Sequence, residues 1–149
     1  MNFVSTSNFR ESLNKLTKRA DSGYKSCCED LCNELKNVTF DDIFSRHFLI
    51  KESGDVRVIK LRIQNSDQNL SSAAGYRLII ICNRKHDHVA LVEVYPKKGK
   101  YSKMDLTKVE YKNTVNNYGI ELKSDQLVTH DINKKLAVID KKKSSEKQE

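Results

Sequence analysis

The chain has 149 residues, enough for one domain with a real buried core, and its 38% hydrophobic and 32% charged residues are an ordinary globular balance on the polar side. No apolar run approaches the roughly 20 residues needed to span a bilayer, and the opening "MNFVSTSNFRESL" lacks the basic-then-apolar layout of a secretory signal. A net charge of +7 and a pI near 9.2 favour a polyanionic partner, although part of the excess lies in the terminal "KKKSSEKQE", which also reads as a solvated tail.

In chain order, "NFVST" alternates and begins a short strand. "NFRESLNKLTKRA" predicts a helix, with Asn8 and Glu11 at capping-box spacing and Phe9, Leu13 and Leu16 on one face. "DSGY" breaks it. A second helix is expected over 25–37, where Cys28, Leu31, Cys32 and Leu35 fall at i, i+3, i+4 and i+7. The four cysteines form no bridge framework and match no zinc spacing, so they read as small packing residues in a reducing compartment. "NVTFDDIFSRHFLIKESGD" is expected to be an irregular crossing segment or a strand before a turn at Gly54, with Asp41 and Asp42 pairing locally with Arg46; His47 has no assigned place.

"VRVIKLRI" predicts a strand with Ile59, Leu61 and Ile63 on one face and Val58, Lys60 and Arg62 on the other. After the polar loop "QNSDQNLSSAAG" comes "GYRLIIICNRKHDHVALVEVYPKK", a hairpin turning near Arg84 to His88. In "LTKVEYKNTVNNYG", Thr107 and Glu110 make a capping box, Leu106 and Tyr111 sit at staple positions, and Gly119 is the expected stop. Strand, two helices, at least three antiparallel strands and a last helix make an α+β domain: a small antiparallel sheet flanked by two N-terminal helices and one C-terminal helix.

With the hairpin centred near residues 85 and 86, Arg77 is expected opposite Val94, on the face completed toward the turn by Ile79, Ile81, Ala90 and Val92. Tyr95 and Lys97 then emerge at the same sheet end as Arg77, and pairing of the preceding strand brings Lys60 and Arg62 there too. His86 and His88 fall at the opposite tip, as a solvated turn; His130 has no assigned place. The sheet end gathers Lys60, Arg62, Arg77, Lys97, Lys98, Lys100 and Tyr101, and "KKGKYSK" sets that tyrosine among four lysines. Such a cluster suits nucleic acid, because the cations neutralise phosphates and the ring stacks a base.

Lys60-x-Arg62 on one strand, Ala74-Gly75-Tyr76-Arg77 opening the next, then Tyr95-Pro96-Lys97 and "MDLT" before a last helix resemble the RelE/HigB branch of the RelE/ParE toxin superfamily. "NFVSTSNFRESLNKL" is similar to that family's first strand and helix, and the resemblance covers roughly residues 2 to 118. It implies a RelE-like toxin domain over 1–118 and a C-terminal extension over 119–149 with a basic tail. It also implies a cytoplasmic toxin of a type II toxin–antitoxin pair, without cofactor or metal, that cuts mRNA on the ribosome and is held by a cognate antitoxin, with no membrane partner. By position, Arg77 matches the family's catalytic arginine, Lys60 and Arg62 its basic strand pair, and Lys97 a second phosphate-contacting cation. Tyr101 stands loosely where some members place a C-terminal tyrosine.

Metal-free RNA cleavage proceeds by attack of the 2′-hydroxyl on the adjacent phosphorus. It needs a proton acceptor, cations for the charge developing at phosphorus, and a donor to the leaving 5′-oxygen. Arg77 suits the second task, since its fork matches phosphate oxygens and keeps its charge. Lys60 suits the first if neighbouring cations lower its pKa, and Tyr101 or Lys97 the third. Lys98, Lys100 and Lys103, with Lys97, read as phosphate-contacting as a group.

Plainer assignments stand beside these. Arg77 also reads as a strand-end arginine solvated or paired with a carboxylate, Lys60 and Arg62 as the outer face of a one-sided sheet, and Tyr76 and Tyr95 as core. In "IELKSDQLVTHDINKKLAVID", Val128, Ile132, Leu136 and Ile139 fit one helical stripe that packs on the domain, embraces a partner or covers the cationic site. Two other functions fit the same scaffold: a ParE-like gyrase-inhibiting toxin, and a non-catalytic RNA-binding regulatory module.

Overall fold

The structure, a computed structural model, describes residues 1–19, 22–45 and 49–139. The elements are β1 (Asn2–Ser5), α1 (Ser7–Thr17), α2 (Cys27–Leu35), α3 (Phe40–Phe44), β2 (Leu49–Ser53), β3 (Val56–Ile63), β4 (Tyr76–Asn83), β5 (His88–Pro96), α4 (Lys108–Lys123), β6 (Val128–Asp131) and β7 (Ala137–Ile139). Short 3-10 turns lie at Ser66–Gln68 and Ile132–Lys134. The strands form one seven-stranded sheet in the order β2-β3-β4-β5-β1-β6-β7. Its neighbours are antiparallel except β1 and β5, which run parallel. The α+β class follows the sequence expectation, with a larger sheet and one parallel pair.

The sheet is covered on both faces. Phe9 and Leu16 of α1 and Leu31 and Leu35 of α2 pack with Ile59, Leu61, Leu78 and Ile80 on one face. On the other, Tyr118 of α4 packs with Val58, Ile79, Ile81 and Val92, flanked by the partly buried Tyr111, Val115 and Leu122. Central strands β4 and β5 are therefore buried throughout, which is why they read as nearly continuous apolar runs. β3 alternates as its sequence indicates, sending Lys60 and Arg62 toward the α4 side while Ile59, Leu61 and Ile63 enter the core under α1 and α2.

The hairpin register is as expected near its turn, with Ile81 opposite Ala90, and then shifts between Ile79 and Ile80. Beyond that bulge Arg77 faces Tyr95, not Val94. The extra residue moves Val94 into the α1–α2 core and brings Tyr95 to the α4 side, since a slip of one exchanges the faces.

Other local expectations change under tertiary constraint. The cap of α1 is Thr6, whose hydroxyl accepts from Phe9 N–H at 3.3 Å, rather than Asn8; Asn8 Nδ2 instead donates to Val92 O and Glu93. Thr39 and Asp42 form a capping box that opens α3, and a strand, β2, follows. Asp41 pairs with Arg84 at 3.5 Å; Arg46 and His47 lie outside the described residues. Thr107 and Glu110 cap α4 as expected, but the helix runs through Gly119 to Lys123, because Tyr118 on one side of it and Leu122 on the other are drawn onto the sheet. Val128, Ile132 and Leu136 form no helical stripe: β6 pairs with β1, and Ile132 and Leu136 enter the α1–α2 core. The 118/119 boundary therefore falls inside α4, and the chain to residue 139 continues the same sheet; the terminal basic residues 140–149 lie outside the described residues.

The cysteines are all free, three of them buried, and burial pushes their thiols up, to about 11 at Cys32 and about 12 at Cys82, so they behave as packing residues. His86 is exposed at the hairpin tip. His88 is not part of a solvated turn: it is buried, with its Nε2 2.7 Å from the Tyr118 hydroxyl. His130 is buried too.

Candidate nucleic-acid interface

Basic residues of β3 and β4, and of the segment just past β5, meet at one end of the sheet. Arg62, Arg77 and Tyr95 form a single cross-strand row, with Lys60 next along β3 on the same face and Lys97 just past the end of β5. Gly75 makes this end possible. A Cβ there would lie 2.1 Å from Ile63 O and 2.8 Å from Asn65 N, so only glycine lets the 64–75 loop fold back on β3. The Gly75 carbonyl then accepts from Lys97 N–H at 2.9 Å, tying the loop to the exit of β5.

Arg77 is 7% exposed. Its terminal nitrogens donate to Ser72 O at 3.0 Å, Tyr76 O at 3.3 Å and Ala73 O at 2.8 Å. The guanidinium thus clasps the loop that precedes it and presents charge, rather than a free fork, to the surface. Burial, then the neighbouring Arg62, lower its pKa from the ordinary arginine value.

Lys97 is half-buried and donates to Met104 O. Desolvation, followed by the charges of Arg77, Lys60 and Arg62, holds its ammonium below the ordinary lysine value, with Asp105 opposing. Lys97 thus lies in the field of the other three cations. Lys60 Nζ lies 3.5 Å from Asp105 Oδ2.

Asp105 is a member of the site that sequence reasoning passed over. Its Oδ1 accepts from the Tyr95 hydroxyl at 3.0 Å, the Tyr111 hydroxyl at 3.1 Å and Leu106 N–H at 2.8 Å. Desolvation would raise its pKa, but Leu106 N–H, the two hydroxyls and Lys60 outweigh it and hold the carboxyl below its ordinary value. An anion fed by hydroxyl, amide and ammonium donors sits where a phosphate oxygen would find the same partners. The available signal was the lone acid of "KMDLTK", one residue outside the Leu106 staple and two before the Thr107 cap.

Tyr101 belongs to the other face. It packs against the α1–α2 core, its ring centroid 6.1 Å from that of the fully buried Tyr24. It does not join the row of Lys60, Arg62 and Arg77. Lys98 and Lys100 are exposed, and Lys103 pairs with Glu110 at 3.1 Å. Tyr76 and Tyr95 are both buried, as the core assignment expected.

A groove of about 680 Å³ runs beside this cluster, between β2–β3 and α4. Ile50, Val58 and Val115 supply its apolar lining, and Lys51, Lys108 and Lys112 its charge. Among the described residues, no helix is long and apolar enough to cross a membrane. In comparisons with known proteins, no family model, no curated protein and no solved structure matches the chain.

Proposed function

We propose that this chain is a RelE/HigB-like toxin of a type II toxin–antitoxin pair, an endoribonuclease that cuts mRNA in the cytoplasm without metal. The observation that carries this proposal is the convergence of Lys60, Arg62, Arg77 and Lys97, from separate parts of the chain, on one sheet end. Lys97, with its lowered ammonium pKa, is suited to take the 2′-hydroxyl proton. The 2′-oxygen attacks phosphorus and closes a 2′,3′-cyclic phosphate; the bond to the 5′-oxygen breaks, and Lys60 returns a proton to that oxygen. Arg62 and the buried charge of Arg77 balance the negative charge that grows on the phosphoryl oxygens. Tyr101 has no part in this step.

The test is expression in translating cells and in a translation extract. Transcripts should end in 2′,3′-cyclic phosphates, growth should stop, and Lys60→Ala and Lys97→Ala should each lower cleavage by about 100-fold. Intact transcripts on translating ribosomes would overturn the nuclease assignment.

A second reading, a non-catalytic RNA-binding module, draws on two observations: the Arg77 fork is committed to three carbonyls, and Asp105 fills part of the anion position. Salt-sensitive RNA binding with no cleavage would decide for it. The antitoxin in the first reading is an acidic segment with aliphatic side chains, which suits the groove because lysines flank its apolar floor.

A further inference from the structure

The loop that closes on Arg77 is anchored unevenly. Over residues 64–70 it is tied to α2 and the segment before it. Asn65 Nδ2 donates to Gly23 O at 3.1 Å, Ser66 N–H to the buried Asp30 carboxylate at 2.9 Å, and Asp67 N–H to Ser26 Oγ at 3.0 Å. Asn65 and Leu70 then exchange backbone hydrogen bonds of 3.0 and 2.9 Å. At the far end, buried Gly75 is fixed through its carbonyl by Lys97 N–H. Between these two anchors Ser71, Ser72 and Ala73 are exposed, and Ala74 N–H closes a turn on Ser71 O at 3.0 Å. Arg77 completes the hold from β4, its Nη1 and Nη2 donating to Ser72 O and Ala73 O.

That hold joins a buried cation to neutral acceptors. The three oxygens that the Arg77 terminal nitrogens meet are all peptide carbonyls. A guanidinium prefers an anionic acceptor to a carbonyl, and its planar fork matches two phosphate oxygens at once. Arg62 stands opposite on β3 and adds like charge, which an anion at this end of the sheet would offset. The carbonyls to be released belong to exposed residues, so water takes the place of the lost donor and no buried acceptor is left unpaired. The exchange therefore runs in favour of a phosphate.

We propose that residues 71–74 form a strap that Arg77 latches in the RNA-free protein, and that a phosphate of the bound strand opens it by taking the fork from the Ser72 and Ala73 carbonyls. The strap swings between Leu70 and Gly75 while both anchors hold. The Tyr76 carbonyl, within β4 itself, keeps its bond to the guanidinium and steadies the fork as it turns to the phosphate. The inference rests on the proposed RNA ligand, and it adds how a buried arginine reaches it.

The experiment follows amide hydrogen exchange by NMR in the full chain, free and saturated with a 2′-O-methyl octauridylate, which lacks the nucleophilic hydroxyl. The oligomer should speed exchange at Ala74 N–H about tenfold and leave Ser66 and Lys97 N–H, which report the two anchors, unchanged. Arg77→Lys keeps the charge but cannot span both carbonyls. In that variant Ala74 N–H should exchange fast without RNA and gain nothing from it. A misfolded variant would lose protection at Ser66 and Lys97 as well, and the wild-type comparison then decides. If the oligomer binds, seen as shifts of the Lys60 and Arg62 amides, yet Ala74 stays as protected as before, the strap is overturned and the cluster stands. Undiminished protection of Ala74 in a folded Arg77→Lys protein overturns the latch. If the octamer does not bind at all, the RNA reading falls and the opening falls with it.

Discussion

Asp105 and Arg77 divide the cationic site between them, one subtracting charge from its surface and the other supplying it from beneath. Asp105→Asn should strengthen oligonucleotide binding several-fold in a titration at constant ionic strength, by freeing Lys60 from its 3.5 Å partner. A fall in affinity would mean that the carboxylate orients Lys60 instead of competing with RNA. Because its carboxyl is held below the ordinary aspartate value near ~4, this opposition persists on mild acidification and fades only as the pH drops through the lowered pKa. Arg77→Ala leaves the Ser72, Ala73 and Tyr76 carbonyls without their donor and should cost about 2–3 kcal/mol in denaturant unfolding. Arg77→Lys restores the charge but not the fork. If it recovers RNA binding without recovering stability, the charge and the clasp are separate functions of one side chain.

Two elements carry consequences of their own. β6 is joined to β1 by three residue pairs and by His130. The Leu136 carbonyl, 2.8 Å from Nδ1, can only accept, so Nδ1 carries the proton and Nε2 takes the Ser5 hydroxyl at 2.6 Å. Burial, with Arg10 nearby, holds the imidazole below its ordinary pKa although the Leu136 carbonyl pulls it up. The folded state therefore resists protonation that the unfolded chain accepts. Its contribution to stability is complete above about pH 6.5 and is lost as the pH falls from there through the lowered value. The melting temperature should drop between about pH 7.5 and about pH 5.5, and His130→Gln should flatten that slope. The groove beside α4 is tested through Lys108→Glu with Lys112→Glu. Under the proposed toxin reading, these changes should weaken binding of an acidic, aliphatic peptide at least tenfold in a pull-down titration, and unchanged binding would count against the groove as that partner's site.

For the whole molecule, the net charge of +7 matters less than its distribution. If four cations contact phosphates, log K for single-stranded RNA should fall with log salt at a slope of about −3. A slope near zero would exclude the cluster as a phosphate site. Much of the architecture was legible without coordinates, because alternation in β3, apolar continuity in β4 and β5 and the Thr107–Glu110 box are local patterns that survive in the fold. The convergence of Lys60, Arg62 and Arg77 was legible for the same reason: antiparallel neighbours leave few registers for strands of matched polarity.

The features that local pattern left open were decided by contacts remote in sequence. A bulge exchanged Val94 for Tyr95, and pairing with β1 made a strand of residues whose spacing also fits a helix. Packing carried α4 past Gly119, and the buried Tyr24 hydroxyl set Tyr101 on the face opposite the arginine row. The amino-acid order determined which segments are extended or helical and which side of each is apolar, because those depend on neighbours one to four residues away. Only the tertiary structure decided that Tyr95 and Asp105 join the basic row and that Tyr101 leaves it, because beyond the strand pattern a side chain's face depends on register and layer, and a single inserted residue reverses it.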